Sequence, residues 1–154
     1  MKKYLFGFIL VMQLCSCSES DKNKKEEKPA LKINIPVALQ LTGCYEMIIA
    51  TDTAFLKIEQ NAQLLNGFLK YKRKEKDSNS GTVILTISEN RAEGYYTFQS
   101  EGQTSVRQIV FKIGNNGLAE AYGDIKMQND TAVYTYPHAL NFEEKHSFNK
   151  ISCK

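Results

Sequence analysis

The chain lacks tryptophan altogether and has little histidine or proline: 2 His and 3 Pro stand among 154 residues, with 9 Gly and 4 Cys. So little proline and glycine excludes a collagen-like or low-complexity protein, and 42% hydrophobic with 24% charged residues is typical of a folded chain. The net charge of +3 is too small to predict nucleic-acid binding. The length allows one compact core and little more.

Motifs of catalysis are missing from the sequence as well. It contains no glycine-rich nucleotide loop, catalytic triad, paired-carboxylate motif or zinc-type spacing. His138, Glu143, Glu144 and His146 share one late segment, but their spacing matches no zinc pattern, so we interpret the segment as a solvated connection. We therefore predict no metal and no cofactor, and a binding module rather than an enzyme.

The longest apolar stretch is short. It runs from Tyr4 to Leu14 after Lys2 and Lys3, near the length of a signal-peptide core and about half of a bilayer span. Its end resembles the lipobox of bacterial lipoproteins, because Leu14 stands three residues before Cys17 and Ser16 stands one before it.

The lipobox resemblance implies a signal peptide over residues 1–16 and a mature chain that begins at lipid-modified Cys17. Several acyl chains would anchor it stably, since each buried methylene contributes about 0.8 kcal/mol. Ser18 rather than Asp follows Cys17, which in Gram-negative lipoproteins favours the outer membrane. The implied location is the cell envelope, on the periplasmic or surface face of that membrane. An ordinary signal peptide with a chance cysteine is the alternative.

A charged linker is predicted between the anchor and the domain, over residues 17–35. Nine of the fifteen residues from Ser18 to Lys32 are charged and none is aromatic, so this segment cannot bury enough apolar area to offset its chain entropy. A short helix from Asp21 to Lys28 is the alternative. Two of the 20 basic residues lie in the leader, so the mature chain would have 18 basic and 17 acidic residues and be nearly neutral.

Residues 36–154 have an apolar period of two, which predicts strands and not helices. About eight or nine strands follow one another with short links, the first of them including Leu39 and Leu41. Short links favour antiparallel neighbours, and so many strands avoid exposed edges best by closing on themselves. We predict an all-β domain, a monomeric antiparallel up-and-down barrel.

Two turns predict the register of the later strands. Glu101-Gly102-Gln103-Thr104 predicts a type II′ turn with Gly102 first, which places Arg107 opposite Phe98. At Asn115-Asn116-Gly117 a three-residue loop with Gly117 in the left-handed region is favoured, because a two-residue turn would bury Glu120 and Asp124. The inner face would then comprise Ala119, Ala121, Gly123 and Ile125.

This architecture resembles the calycin group, which includes the lipocalins. Their first strand carries a Gly-x-Trp, and Gly43-Cys44-Tyr45 stands in that place. The resemblance implies a barrel that binds a small amphipathic ligand or an envelope component. Small lipoprotein inhibitors of C-type lysozyme are a second resemblance, because the segment from Ser100 to Ser105 is similar to their Ser- and Gly-rich loops. That family implies a protein-binding module, a hydrolase inhibitor that acts through its loops.

The two remaining cysteines, Cys44 and Cys153, lie in the first and last predicted strands. Those strands are neighbours in an up-and-down barrel, and the compartment beyond the inner membrane is oxidising, so we predict a disulfide. Free structural thiols are the alternative.

Arg107 is a charged residue on the predicted inner face of the barrel, and this position suggests a role in ligand binding. It shares a face with Ile109 and Phe111, and the predicted register places no carboxylate across from it. A buried guanidinium without a partner is costly. Arg107 therefore either reaches out to solvent at the barrel rim or binds the anionic head of a ligand with Tyr96 and Ser105.

Two surface features have both a plain and a functional interpretation. Thr53 and Thr131 stand in Asp-Thr-Ala triplets, which some Gram-negative lineages O-glycosylate, although chance explains so short a pattern equally well. The basic segment from Lys70 to Lys76 is interpreted as a solvated outer face, with contact to anionic lipid or polysaccharide as the alternative.

Overall fold

The computed structural model describes residues 37–74 and 78–153. The predicted signal peptide, the predicted lipidation site Cys17 and the predicted charged linker lie outside the described residues. One helix and ten strands follow: α1 (Val37–Leu41), β1 (Gly43–Ile49), β2 (Asp52–Asn61), β3 (Leu64–Lys72), β4 (Asn79–Ser88), β5 (Arg91–Ser100), β6 (Gln103–Ile113), β7 (Gly117–Tyr122), β8 (Ile125–Gln128), β9 (Thr131–Tyr134) and β10 (Asn141–Ile151).

Eight of these strands form a closed antiparallel barrel. Around it the order is β5-β4-β3-β2-β1-β10-β7-β6, and β6 pairs with β5 to close the circle. The two other strands form the β8–β9 hairpin, which joins the sheet where β9 runs parallel to β6. The all-β up-and-down barrel predicted from the alternating pattern is confirmed.

Large apolar side chains fill most of the barrel interior. Tyr45, Leu56, Leu69, Phe111 and Phe148 are among those that are almost fully buried. The backbones of β4 and β5 approach closely at Gly94, where a Cβ would collide with the carbonyl oxygen of Ile84 on the next strand. Among the described residues, side chains therefore pack the middle of the barrel, and the cavities described below lie near its ends or beside its wall.

Helix α1 lies at one end of the barrel. The prediction of a strand at Leu39 and Leu41 is wrong there, because Thr42 closes a single helical turn by donating its N–H and its hydroxyl to the Leu39 carbonyl at 3.3 and 2.8 Å. This turn buries Leu41 against the core, and the Tyr45 hydroxyl donates to the Leu41 carbonyl at 2.8 Å.

The predicted disulfide is confirmed. β1 pairs with β10, which brings Cys44 opposite Ile151 and leaves the Cα atoms of Cys44 and Cys153 5.2 Å apart in a bonded pair. The bond therefore joins the first and last strands of the barrel.

The turn between β5 and β6 differs from the predicted one. Glu101 and Gly102 both have positive φ, at 51° and 77°, and Ser100 pairs with Gln103. Two central residues with positive φ make a type I′ turn, whose twist suits antiparallel strands. The register is shifted by two residues, so the inward faces stay as predicted, but Tyr96 and not Phe98 lies opposite Arg107.

The predicted inner face of β7 is wrong. The Gly114 N–H donates to the Gly117 carbonyl at 2.9 Å across a two-residue turn, and Gly117 is not left-handed. Leu118 and Glu120 therefore point into the barrel. Ala121 is apolar because it packs outside the barrel, in a second small core with Val110 and Tyr134. Gly123 lies beyond β7, and Ile125 is an exposed residue of β8.

Candidate functional site

The end of the barrel opposite α1 contains a cavity of about 580 Å³, which we call the mouth cavity. It lies beside the β1–β2 turn and the end of β3. Met47, Ile49, Tyr71 and Tyr122 give it apolar and aromatic walls, and Thr53, Arg73 and Lys74 also line it. Its volume is within the range of pockets that hold small ligands.

A second cavity of about 190 Å³ lies beside the mouth cavity, between the barrel and the β8–β9 hairpin. We call it the Arg107 cavity. Arg107, Gln108, Glu120 and Tyr134 are among its lining residues. Tyr71, Arg73 and Tyr122 line both cavities, so the two adjoin.

Arg107 makes an ion pair inside the barrel wall. Its Nη2 donates to Glu120 Oε1 at 2.9 Å and to the Tyr71 hydroxyl at 2.9 Å, and that hydroxyl donates to Glu120 Oε2 at 2.7 Å. The Glu120 side chain is 4% exposed and the Arg107 side chain 28%. Glu120 is thus the carboxylate that the predicted register did not place near Arg107.

The proton positions of this network follow from its surroundings. Burial of Arg107 would by itself lower the pKa of the guanidinium, but Tyr71 and Glu120 outweigh it and raise that pKa. Burial, followed by the charge of Glu120, raises the pKa of Tyr71 well above its ordinary value. Arg107 therefore remains charged near neutral pH, and Tyr71 remains a neutral phenol that donates to Glu120.

Three more tyrosines surround the ion pair. Burial raises the pKa of Tyr96, Tyr122 and Tyr134 to about 12 in each case. The Tyr134 hydroxyl donates to the Ala121 carbonyl at 2.8 Å, and the Tyr96 ring stacks on Phe98 with centroids 4.7 Å apart. These phenols are protonated near neutral pH, so the region holds its tyrosines as neutral hydrogen-bonding groups.

Two of the three predicted ligand residues come together. Arg107 lies opposite Tyr96, with its guanidinium carbon 5.4 Å from the centre of that ring. Ser105 lies one inward position nearer the turn, opposite Phe98, and neither Ser105 nor Tyr96 lines the mouth cavity or the Arg107 cavity. A third cavity of about 320 Å³ lies near α1, and none of the three residues lines it.

Two residues of the basic segment, Arg73 and Lys74, lie at the mouth cavity. The sequence predicts a solvated outer face for this segment. Lys70 and Lys72 are indeed exposed on β3. Arg73 and Lys74 are exposed as well but also line the mouth cavity, and the Lys74 N–H donates to Asp52 Oδ1 at 3.0 Å beside the paired ends of β2 and β3. Sequence alternation ends with β3, so it could not show that these two residues line a cavity.

His146 also lines the mouth cavity. Its ring centre lies 4.0 Å from that of Tyr122. The Nδ1 atom of His146 is buried and lies 3.4 Å from Glu143 Oε2, but it makes no hydrogen bond to the described residues. Within residues 37–74 and 78–153, no group of three or more His, Cys, Asp or Glu side chains is placed to hold a metal ion. No helix in the described part of the chain is long and apolar enough to cross a membrane.

The two candidate glycosylation sites begin strands. Thr53 lies in β2 at the mouth cavity, and Thr131 lies in β9, with its hydroxyl 3.5 Å from the Asn129 carbonyl. Both threonines are partly exposed. Their modification stays a prediction.

Comparison with known proteins identifies no family. No family model matches the chain, and no solved structure matches it. A stretch of 83 residues is 29% identical to interleukin-6 from Sus scrofa. The match covers 53% of this chain and only 39% of that protein, and it supports no statement about function.

Proposed function

We propose that this protein is an envelope lipoprotein, anchored through Cys17 to the outer membrane, whose barrel binds a small amphipathic ligand without catalysis. The lipobox pattern from Leu14 to Cys17 supports the anchor. The mouth cavity supports the ligand.

The mouth cavity is the observation that carries this proposal. Large side chains pack the middle of the barrel, whereas this end keeps about 580 Å³ of open space, more than the cavities near α1 and beside Arg107. Met47 and Ile49 offer apolar contact, and Arg73 and Lys74 outnumber Asp52 among the charged lining residues, which leaves a net positive charge. An amphipathic molecule has the same division between an apolar body and a polar or anionic end.

A loop-based inhibitor receives less support from the described residues. The segment that resembles an inhibitor loop, from Ser100 to Ser105, forms strand ends joined by the two-residue turn at Glu101 and Gly102. So short a turn projects little chain beyond the barrel. Loop-mediated protein binding is therefore kept as the alternative outcome of the experiment below.

Filling the mouth cavity is expected to abolish ligand binding. In Ile49→Trp the larger ring would occupy the cavity, while in the matched control Ile48→Trp it would point outward, because Ile48 is 62% exposed. The probe is anilinonaphthalene sulfonate, a fluorescent amphipathic anion, added to the full chain in lipid nanodiscs with the signal of empty nanodiscs subtracted.

We expect wild type and Ile48→Trp to bind the probe equally and Ile49→Trp to bind at least about tenfold more weakly, a loss of about 1.4 kcal/mol. Circular dichroism would verify that both variants keep the barrel. Equal binding by all three proteins, or none by the wild type, would contradict a ligand site in the mouth and favour the loop-based alternative.

A further inference from the structure

We infer that the Arg107 cavity receives the carboxylate of a monoanionic amphipathic ligand whose apolar part occupies the mouth cavity. This inference rests on the proposed function, since it assigns the ligand's polar end within the same site. The two cavities adjoin at Tyr71, Arg73 and Tyr122, so one molecule can extend from one into the other.

The Glu120 carboxylate and the Gln108 amide oxygen are acceptors in the Arg107 cavity that already receive hydrogen bonds from the protein. Both carboxylate oxygens of Glu120 accept hydrogen bonds, from Arg107 and from Tyr71. Gln108 Oε1 accepts the backbone N–H of Tyr134 at 3.0 Å, which fixes the orientation of that side-chain amide. A ligand that donates hydrogen bonds would therefore have to share these oxygens with protein donors.

Donors, in contrast, remain available. Both hydrogen bonds that Arg107 makes to described residues come from Nη2. A guanidinium has five N–H groups, so those of Nη1 and Nε are left for a ligand. The amide nitrogen of Gln108 is likewise unused, since only Oε1 is bonded. A cavity whose donors are free, and whose carboxylate and amide oxygens already accept protein hydrogen bonds, suits a ligand group that accepts hydrogen bonds.

The charge of the cavity narrows the ligand class further. Arg73 and Arg107 contribute two positive charges to its lining and Glu120 contributes one negative charge, which leaves one positive charge. A single carboxylate balances that charge, whereas a doubly charged phosphate monoester would exceed it. The small volume of about 190 Å³ also suits a compact group. Together these features point to a carboxylate.

Decanoate and decanol provide a matched pair of probes that differ in the end group. Calorimetric titration of the full chain in nanodiscs would compare them in wild type, in Glu120→Gln and in Arg107→Met/Glu120→Met. We expect wild type to bind decanoate about tenfold more tightly than decanol, the effect of about one hydrogen bond to a charged group. The double variant should bind both molecules almost equally, at the affinity of decanol.

Glu120→Gln separates a ligand role of Arg107 from a structural one. This substitution keeps the shape of the side chain but removes the charge that competes for Arg107. The affinity for decanoate should therefore rise several-fold, while the affinity for decanol should not change. Equal affinity for acid and alcohol in the wild type, or unchanged or weaker decanoate binding in Glu120→Gln, would overturn the inference. Failure of the proposed function would look different, because then neither probe would bind and Ile49→Trp would change nothing.

Discussion

Removing the Cys44–Cys153 disulfide is expected to lower the free energy of unfolding by about 4 kcal/mol. The bond closes a loop of 109 residues, and in the chain-entropy model a loop of that size contributes about 4.7 kcal/mol by restricting the unfolded chain. It also joins β1 to β10, the one strand pair of the barrel that brings the two ends of the described chain together. A loss of this size is a large share of the stability of a small domain.

Urea unfolding of the full chain, with and without reductant, measures this effect. The matched variant Cys44→Ala/Cys153→Ser should have a lower urea midpoint than the oxidised wild type, with or without reductant. The midpoint of the reduced wild type should approach that of the variant. Cys44 is buried, so the single variant Cys44→Ala under reducing conditions measures the packing cost of the substitution alone. Coincident midpoints of oxidised and reduced wild type would contradict the prediction.

Breaking the Arg107–Glu120 pair on one side is expected to destabilise the barrel by about 3 kcal/mol or more. Arg107→Met leaves the Glu120 carboxylate buried at 4% exposure, with the Tyr71 hydroxyl as its one hydrogen-bond partner among the described residues. Arg107→Met/Glu120→Met removes both charges and keeps similar volume. Because replacing a buried pair by apolar residues is often neutral, the double variant should recover most of the lost stability.

The comparison of single and double variants decides whether the pair is buried in solution as it is in the structure. The free energy of unfolding from urea titration would be measured for wild type and both variants. A loss below about 1 kcal/mol in Arg107→Met is what an exposed ion pair would give. That outcome, or a double variant less stable than the single one, would contradict the described network.

The sequence was sufficient for the barrel and for its disulfide. Strict alternation fixes which side chains of a strand share a face, and it correctly placed Tyr96, Phe111 and Arg107 inside. The disulfide followed from topology, because the first and last strands of a closed meander are neighbours. The first inference needs only the side on which a residue points, and the second needs only which strands are neighbours.

Exact register could not be predicted in the same way. The type I′ turn at Glu101 and Gly102 shifted the pairs by two residues, which alternation cannot detect because the faces are unchanged. In β7 the alternation was misleading. Ala121 is apolar because Tyr134 covers it from outside, so an apolar outer face was taken for the inner one and Glu120 was missed.

The candidate site also depends on the β8–β9 hairpin, whose packing against the outside of the barrel the sequence did not predict. Arg107 was identified from the sequence because a buried guanidinium needs a partner, but Glu120 and Tyr71 come from strands β7 and β3, which local patterns do not relate. The two cavities depend on where Arg73 and the β8–β9 hairpin lie after leaving the barrel wall. Side-chain periodicity carries no information about those positions.

Native mass spectrometry of the full-length protein, gently extracted from its own membranes, tests the ligand claim most directly. We expect the intact mass to include the lipid on Cys17 and one additional non-covalent molecule, an amphipathic monoanion that dissociates on activation. The added molecule should persist in Ile48→Trp and be absent from Ile49→Trp. A wild-type protein that carries no such molecule, or an added mass that Ile49→Trp retains, would contradict a ligand-binding mouth.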